Sequence, residues 1–363
     1  MMYTELIKII EGGLKGDKEK VLNYAKNISD LIEKKGDVKV AQKIRLLLDN
    51  KKGSLITLDS LSTKPVDSES RLEMVDIQYY TNTNISPILS EQTHKSIELF
   101  IKSYVKRDSI LKAGINIKSS LLLYGPPGCG KSTLAKYVSL KTGLPLITVR
   151  LDGMISSLLG STAKNIRKIF DYASKRECIL FLDEFDVIAK LRDDKNDLGE
   201  LKRVVNSLLQ NIDDFSENSI IIAATNHHQL LDSAVWRRFS NILLLDKPQK
   251  NEIELFLNRH LTNIDNDIYN SKSKFEQIVS SLENKSYSDI ETIINNTIKK
   301  VIINEKYFVN NYDLLTEIFL HEYHSINDED IYLKFLLANG VTQRELNEEL
   351  GYSLRKVREI SKL

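Results

Sequence analysis

Two cysteines among 363 residues, Cys129 and Cys178, cannot form a disulfide framework, and their spacing fits no zinc-ligand pattern. A reducing cytoplasm is the compartment this predicts. The chain has no apolar run near the roughly 18 residues of a membrane span. Nor does its start carry an apolar stretch followed by a small-residue cleavage site, so neither a membrane partner nor a secretory signal is expected. Neither sign of charge is in excess: 51 Lys and Arg face 50 Asp and Glu, a formal +1. That balance gives no whole-protein argument for nucleic-acid or membrane binding. With only 15 glycines and 6 prolines, collagen-like and low-complexity architectures are excluded. What remains is 42% hydrophobic and 28% charged, an ordinary globular composition long enough for two or three domains.

Hydrophobic spacing divides the chain into five regions. Over 1–50, Leu6, Ile9, Ile10 and Leu14 share one helical face, as do Val21, Ala25, Ile28 and Ile32. These predict a small N-terminal helical bundle, read either as a solvated bundle or as a docking module. Residues 51–84 are polar, with Pro65, and read as a linker. Over 85–247, short apolar runs at 119–124, 144–150, 178–183, 219–226 and 241–246 alternate with helix-length segments. That texture predicts an α/β core on a five-stranded parallel sheet buried on both faces. Residues 248–325 read as helical, a lid on the core, and 326–363 as a separate helical signal.

The sharpest motif is Gly125-Pro126-Pro127-Gly128-Cys129-Gly130-Lys131-Ser132, with Thr133 next, placed between a predicted strand and a predicted helix. Its glycines let backbone N–H groups approach phosphate oxygens, and the helix N-terminus adds partial positive charge. Lys131 is expected to reach the β- and γ-phosphates of ATP, with the Ser132 hydroxyl on Mg²⁺. The run ending in Asp183-Glu184 puts both carboxylates at the C-terminal edge of a buried strand, where open α/β sheets bind ligands. Asp183 is assigned to the metal and Glu184 to orienting and deprotonating an attacking water; either could instead cap the next helix.

With the residues around that loop, Leu122-Leu123-Tyr124 before it included, the chain resembles the AAA group of AAA+ ATPases over about residues 85–310. Gly160 to Phe170 is similar to the helix after that group's first pore loop. Arg203 to Leu209 resembles the helix opening its second region of homology. Ala224-Thr225-Asn226 resembles the sensor-1 strand end, which implies that Asn226 polarises the water or the γ-phosphate. Leu231 to Phe239 resembles the arginine-finger segment. The resemblance implies fingers Arg237 and Arg238, with Arg238 the better aligned, acting on a neighbouring subunit in a ring, commonly a hexamer. Where peptide-threading relatives carry a pore-loop aromatic, this chain has Leu158. Lys285-Ser286-Tyr287-Ser288-Asp289-Ile290 is similar to the sensor-2 segment but lacks its glycines.

In the last region Thr342 and Glu345 have capping-box spacing, and Asn347, Gly351 and Val357 follow the spacing of a helix-turn-helix. Arg355, Lys356, Arg358 and Lys362 against Glu359 make the final helix basic, so residues 341–363 are a candidate DNA contact or, equally, a protein-packing pair. His227-His228 lack a third ligand and read as polar strand-end residues. Cys129 is expected near solvent and sensitive to alkylation, whereas Cys178, opening a buried strand, is expected to be inert. Three outputs remain open for the ATPase. It could remodel a protein substrate or partner held through 1–50, serving a separate protease since no H-E-x-x-H occurs. It could act in a DNA transaction or defence. It could be a nucleotide-dependent switch on a partner enzyme.

Overall fold

Short apolar runs become strands because each alternates its side chains between two buried faces. In the computed structural model, which describes residues 73–80, 85–115, 118–151, 159–187, 200–215 and 218–361 with scattered positions between 8 and 65, the chain opens with strand β1 (Asp76–Gln78). Helices α1 (Glu91–Val105) and α2 (Arg107–Lys112) follow. An alternating series comes next: β2 (Ser120–Tyr124), α3 (Lys131–Thr142), β3 (Leu146–Arg150), α4 (Leu159–Ser174), β4 (Ile179–Asp183), α5 (Glu200–Asp213), β5 (Ile220–Thr225), α6 (Ser233–Trp236) and β6 (Asn241–Leu244). Most of the helical bundle expected over 1–50, and the pore-loop position Leu158, lie outside the described residues; Tyr24, Ala25, Ile28 and Ile32, which are described, are helical.

The sheet has the order β1-β3-β4-β5-β2-β6. Five strands are parallel, as the sequence predicts. The sixth, β1, runs antiparallel to β3, with Ile77 opposite Ile147. This corrects the five-strand expectation, and it puts a strand inside the segment read as linker. A three-residue strand with two of its side chains exposed carries no hydrophobic run to reveal it; pairing covers an edge that would otherwise be open.

Period-two alternation divides the core. Leu121 and Leu123 pack on one face with Phe181, Ile222 and α3, while Leu122 packs on the other with Leu180, Phe185 and the α4 and α5 side chains. Strand β5 is buried along its whole length, which explains why its sequence is a continuous apolar run rather than an alternating one.

Beyond the sheet come α7 (Lys250–Leu261), α8 (Lys272–Ser281), α9 (Tyr287–Ile303), α10 (Asn311–Tyr323), α11 (Glu329–Ala338), α12 (Gln343–Glu348) and α13 (Leu354–Ile360). The sequence placed a boundary near residue 326, yet one hydrophobic cluster runs through it. Ile253, Leu257, Ile294 and Leu315 share this cluster with Leu333, Leu336, Leu346 and Val357. Polar contacts also cross the boundary, including Lys274 Nζ to Glu345 at 2.7 Å and Tyr312 hydroxyl to Glu349 at 3.2 Å. Among the described residues, no helix is long and apolar enough to cross a membrane.

Candidate nucleotide site

At the end of β2 the chain makes a loop that only glycine backbones fit. Gly125 has φ 141°, and a Cβ there would sit 2.0 Å from the Leu245 carbonyl oxygen, just past β6. Gly128 and Gly130 also have positive φ. Helix α3 then starts on Lys131, so its first-turn N–H groups open toward the loop. The Lys131 ammonium folds back into this loop and donates to the carbonyls of Gly125 and Pro126, each at 2.8 Å. Lys131 is 8% exposed, and desolvation holds its pKa below the ordinary lysine value, with Cys129, Asp183 and Asp186 acting the other way. Ser132 and Thr133, on the first turn of α3, are exposed, as is Pro127; Pro126 is half-buried.

The parallel order places the ends of β4 and β5 beside this loop. Ser132 Oγ donates to Asp183 Oδ2 at 3.5 Å, joining the first turn of α3 to the end of β4. Glu184 follows in the left-handed region, φ 54°, with its N–H on Asp183 Oδ1 at 2.9 Å. For a residue with a side chain that conformation is strained and must be held by its surroundings. They do so here: Phe185 N–H donates to the Ala224 carbonyl at 2.8 Å, locking the turn to β5. Thr225 Oγ1 donates to the Asp186 carboxylate at 3.2 Å and accepts from His227 N–H at 3.1 Å. Asn226, half-buried, lies between these anchors at the β5 end. The sequence assigns no role to Thr225, named there only within the sensor-1 segment, or to Asp186, a second carboxylate three residues after Asp183. One hydroxyl and one carboxylate are hard oxygen donors suited to Mg²⁺, which takes few protein ligands and completes its shell with water and phosphate oxygens. No cluster of three or more His, Cys, Asp or Glu that could hold a metal ion occurs among the described residues.

The arginine segment is fixed by aromatics on both sides. Tyr124, at the end of β2, meets Trp236 edge-on at 5.4 Å and His228 at 5.0 Å. Phe239 meets Phe185 edge-on at 5.7 Å, so the turn carrying Glu184 touches the segment carrying Arg237 and Arg238. Arg238, expected from sequence as the better-aligned finger, is ion-paired with Asp213 of its own chain at the end of α5. The Arg237 side chain is exposed and makes no ion pair with another described residue.

Cys129 requires a correction. It was expected near solvent but is 3% exposed, and desolvation raises its thiol pKa. Cys178 is fully buried, its thiol pushed up to about 12 by desolvation. Beyond the loop, a cavity of about 630 Å³ opens between the end of the sheet and the helices after it, lined by residues 246–251 with Glu283 and Asn284; none of these is a phosphate-loop residue.

At the far end, Thr342 and Glu345 cap α12 reciprocally, Gly351 has φ 75°, and the Asn347 side-chain amide donates to the Tyr352 carbonyl at 2.7 Å. Much of the basic charge on α13 is already engaged. Arg355 pairs with Glu359 at 3.2 Å, and Lys356 pairs with Glu329 and with Asp330 of α11.

Residues 121–247, the stretch that builds this site, match the sequence profile of the ATPase family associated with various cellular activities (AAA). The AAA family ATPase y4kL of Sinorhizobium fredii is 35% identical over 295 residues, covering 80% of this chain and 87% of that one. The chain belongs to the AAA family of ATPases. It is therefore a nucleotide-binding protein and an ATP hydrolase of the AAA+ P-loop class. It is also 31% identical over 249 residues to proteasome-activating nucleotidase 1 of Haloferax volcanii, spanning 60% of that protein. To the ATP-dependent zinc metalloprotease FtsH 2 of Bdellovibrio bacteriovorus it is 32% identical over 212 residues, 34% of that chain.

Proposed function

We propose that this AAA ATPase hydrolyses ATP at the junction of α3, β4 and β5 and uses the cycle, in a ring of like subunits, to remodel a protein. The observation that carries the catalytic part is the approach of Ser132 to Asp183 within 3.5 Å, beside the buried ammonium of Lys131.

In this reading the loop N–H groups and Lys131 hold the β- and γ-phosphates. Lys131 exchanges its two carbonyl acceptors for phosphate oxygens, a trade favoured by the charge of the new partner. Ser132 and Asp183 would hold Mg²⁺, which neutralises charge on the phosphates. Glu184, carried by its strained turn beyond the strand edge, accepts the proton of a water attacking the γ-phosphorus. Asn226 orients that water or the γ-phosphate. Arg237, exposed and without an ion pair among the described residues, is the arginine placed to reach a neighbouring subunit's nucleotide, and Arg238 can join it only by giving up Asp213.

A protein as the worked substrate is supported by the relatives, one named for activating the proteasome and another for ATP-dependent proteolysis. The zinc-protease motif H-E-x-x-H does not occur in this sequence. The engaged state of Arg355 and Lys356 weighs against DNA as the substrate of the C-terminal helices. The test is ATPase turnover, alone and with an unfolded polypeptide or duplex DNA. Stimulation by polypeptide alone is expected; stimulation by DNA alone would transfer the work to a nucleic-acid substrate.

A further inference from the structure

The first turn of α9 lies directly on the phosphate loop, and its hydrogen-bond accounting shows what it does there. A helix N-terminus has four N–H groups without intrahelical acceptors. Here the Ser286 hydroxyl accepts from Asp289 N–H at 3.2 Å, and the Asp289 carboxylate accepts from Ser286 N–H at 2.9 Å and from its hydroxyl at 2.8 Å. This capping box leaves Ser288 N–H for another acceptor, and that acceptor is the Gly128 carbonyl, at 3.2 Å. The approach is close enough to need glycine: a Cβ on Gly128 would lie 2.5 Å from Ser286 Oγ and 2.9 Å from Ser288 Cβ. Ser286 is 4% exposed, so the capping hydroxyl beside the contact is buried, while Gly128 and Ser288 themselves lie at the surface. Desolvation would raise Asp289, but the Ser286 N–H and hydroxyl, with His321 and Lys247 nearby, bring its carboxyl below the ordinary value. The carboxylate is thus ionised and able to hold the turn.

We propose that Ser288, fixed by the Ser286–Asp289 capping box, is a positioning residue for nucleotide binding: its N–H holds the Gly128–Cys129 peptide of the phosphate loop in its binding orientation. In a planar trans peptide the carbonyl and the following N–H point in opposite directions. Anchoring the Gly128 carbonyl to the lid therefore aims the Cys129 N–H away from the lid, onto the side of the loop that receives phosphate. The lid pre-orders one donor of the phosphate cradle before nucleotide arrives, and Cys129 is shielded in the same arrangement. Pre-ordering acts on ADP and ATP alike, so it lowers KM and leaves the chemical step unchanged.

The proposal rests on the phosphate loop being the nucleotide site, and the experiment separates the two. Affinity of the full-length protein for a fluorescent ADP analogue with Mg²⁺ is measured for Ser288→Ala, which keeps the N–H, and Ser288→Pro, which removes it at a first-turn position tolerant of proline. Ser288→Ala is expected at the wild-type value. Ser288→Pro is expected to bind roughly tenfold more weakly, with KM raised in proportion and kcat kept. Its Cys129 should alkylate faster while Cys178 stays silent. Asp289→Asn, which loosens the box without removing atoms, gives a second measure should the proline variant fail to unfold cooperatively; a loss of about threefold is expected. Lys131→Ala serves as the reference. If it binds normally, the site itself is misassigned. If it loses binding while Ser288→Pro, or Asp289→Asn in its place, binds as wild type, the positioning role is overturned and the site stands.

Discussion

A single hydroxyl, Thr225 Oγ1, links two strand ends by donating to the buried Asp186 and accepting from His227 N–H. Thr225 and Asp186 are nearly inaccessible, at 1% and 4%, so removing the hydroxyl strips a donor from a carboxylate that water does not readily reach. Thr225→Val should therefore cost about 1–3 kcal/mol in denaturant unfolding. It should also slow turnover, because Glu184 and Asn226 both take their positions from this junction. At this scale the sequence singled out residues whose type chemistry dictates, Lys131, Ser132, Asp183 and Glu184, and the structure brings Ser132 and Asp183 together. It was uninformative where position depends on distant packing. Cys129 looked open because it sits in a glycine-rich loop, yet Cys129 packs into the core cluster with Leu134 and Leu245. Arg238 looked free because its partner, Asp213, sits at the end of a helix with no motif of its own.

Between elements, the informative feature is the shared core of the lid and the last three helices. Leu346, on α12, is fully buried in the cluster that contains Ile253 and Leu315. Leu346→Ala should cost about 2–5 kcal/mol in thermal or chemical unfolding, with the loss falling on the transition of the whole helical region. Two separate transitions, with the lid unaffected, would instead make the C-terminal helices an independent unit. The helices themselves were readable from periodicity and caps, including the Thr342 box. Their common core was not, because amphipathic spacing shows that a face is apolar without showing which neighbour covers it. Strand β1 was missed for the opposite reason: it is short and largely exposed, and only its pairing with β3 defines it.

At the scale of the whole molecule, the neutral balance of 51 and 50 charges separates into local pairings rather than one charged surface. The basic final helix is the clearest case, since α11 supplies two carboxylates to Lys356. The proposed site is distributed in the same way: the loop follows β2, the acidic pair ends β4, Asn226 follows β5, the arginines precede β6, and the first turn of α9 contacts Gly128. Hydrolysis, in this account, depends on Glu184 as the base while binding depends on the loop and Lys131. The most direct test is a pair of measurements on Glu184→Gln: equilibrium binding of ATP with Mg²⁺ and single-turnover hydrolysis. The account predicts wild-type affinity with hydrolysis reduced by at least about a hundredfold. Hydrolysis at the wild-type rate would contradict it.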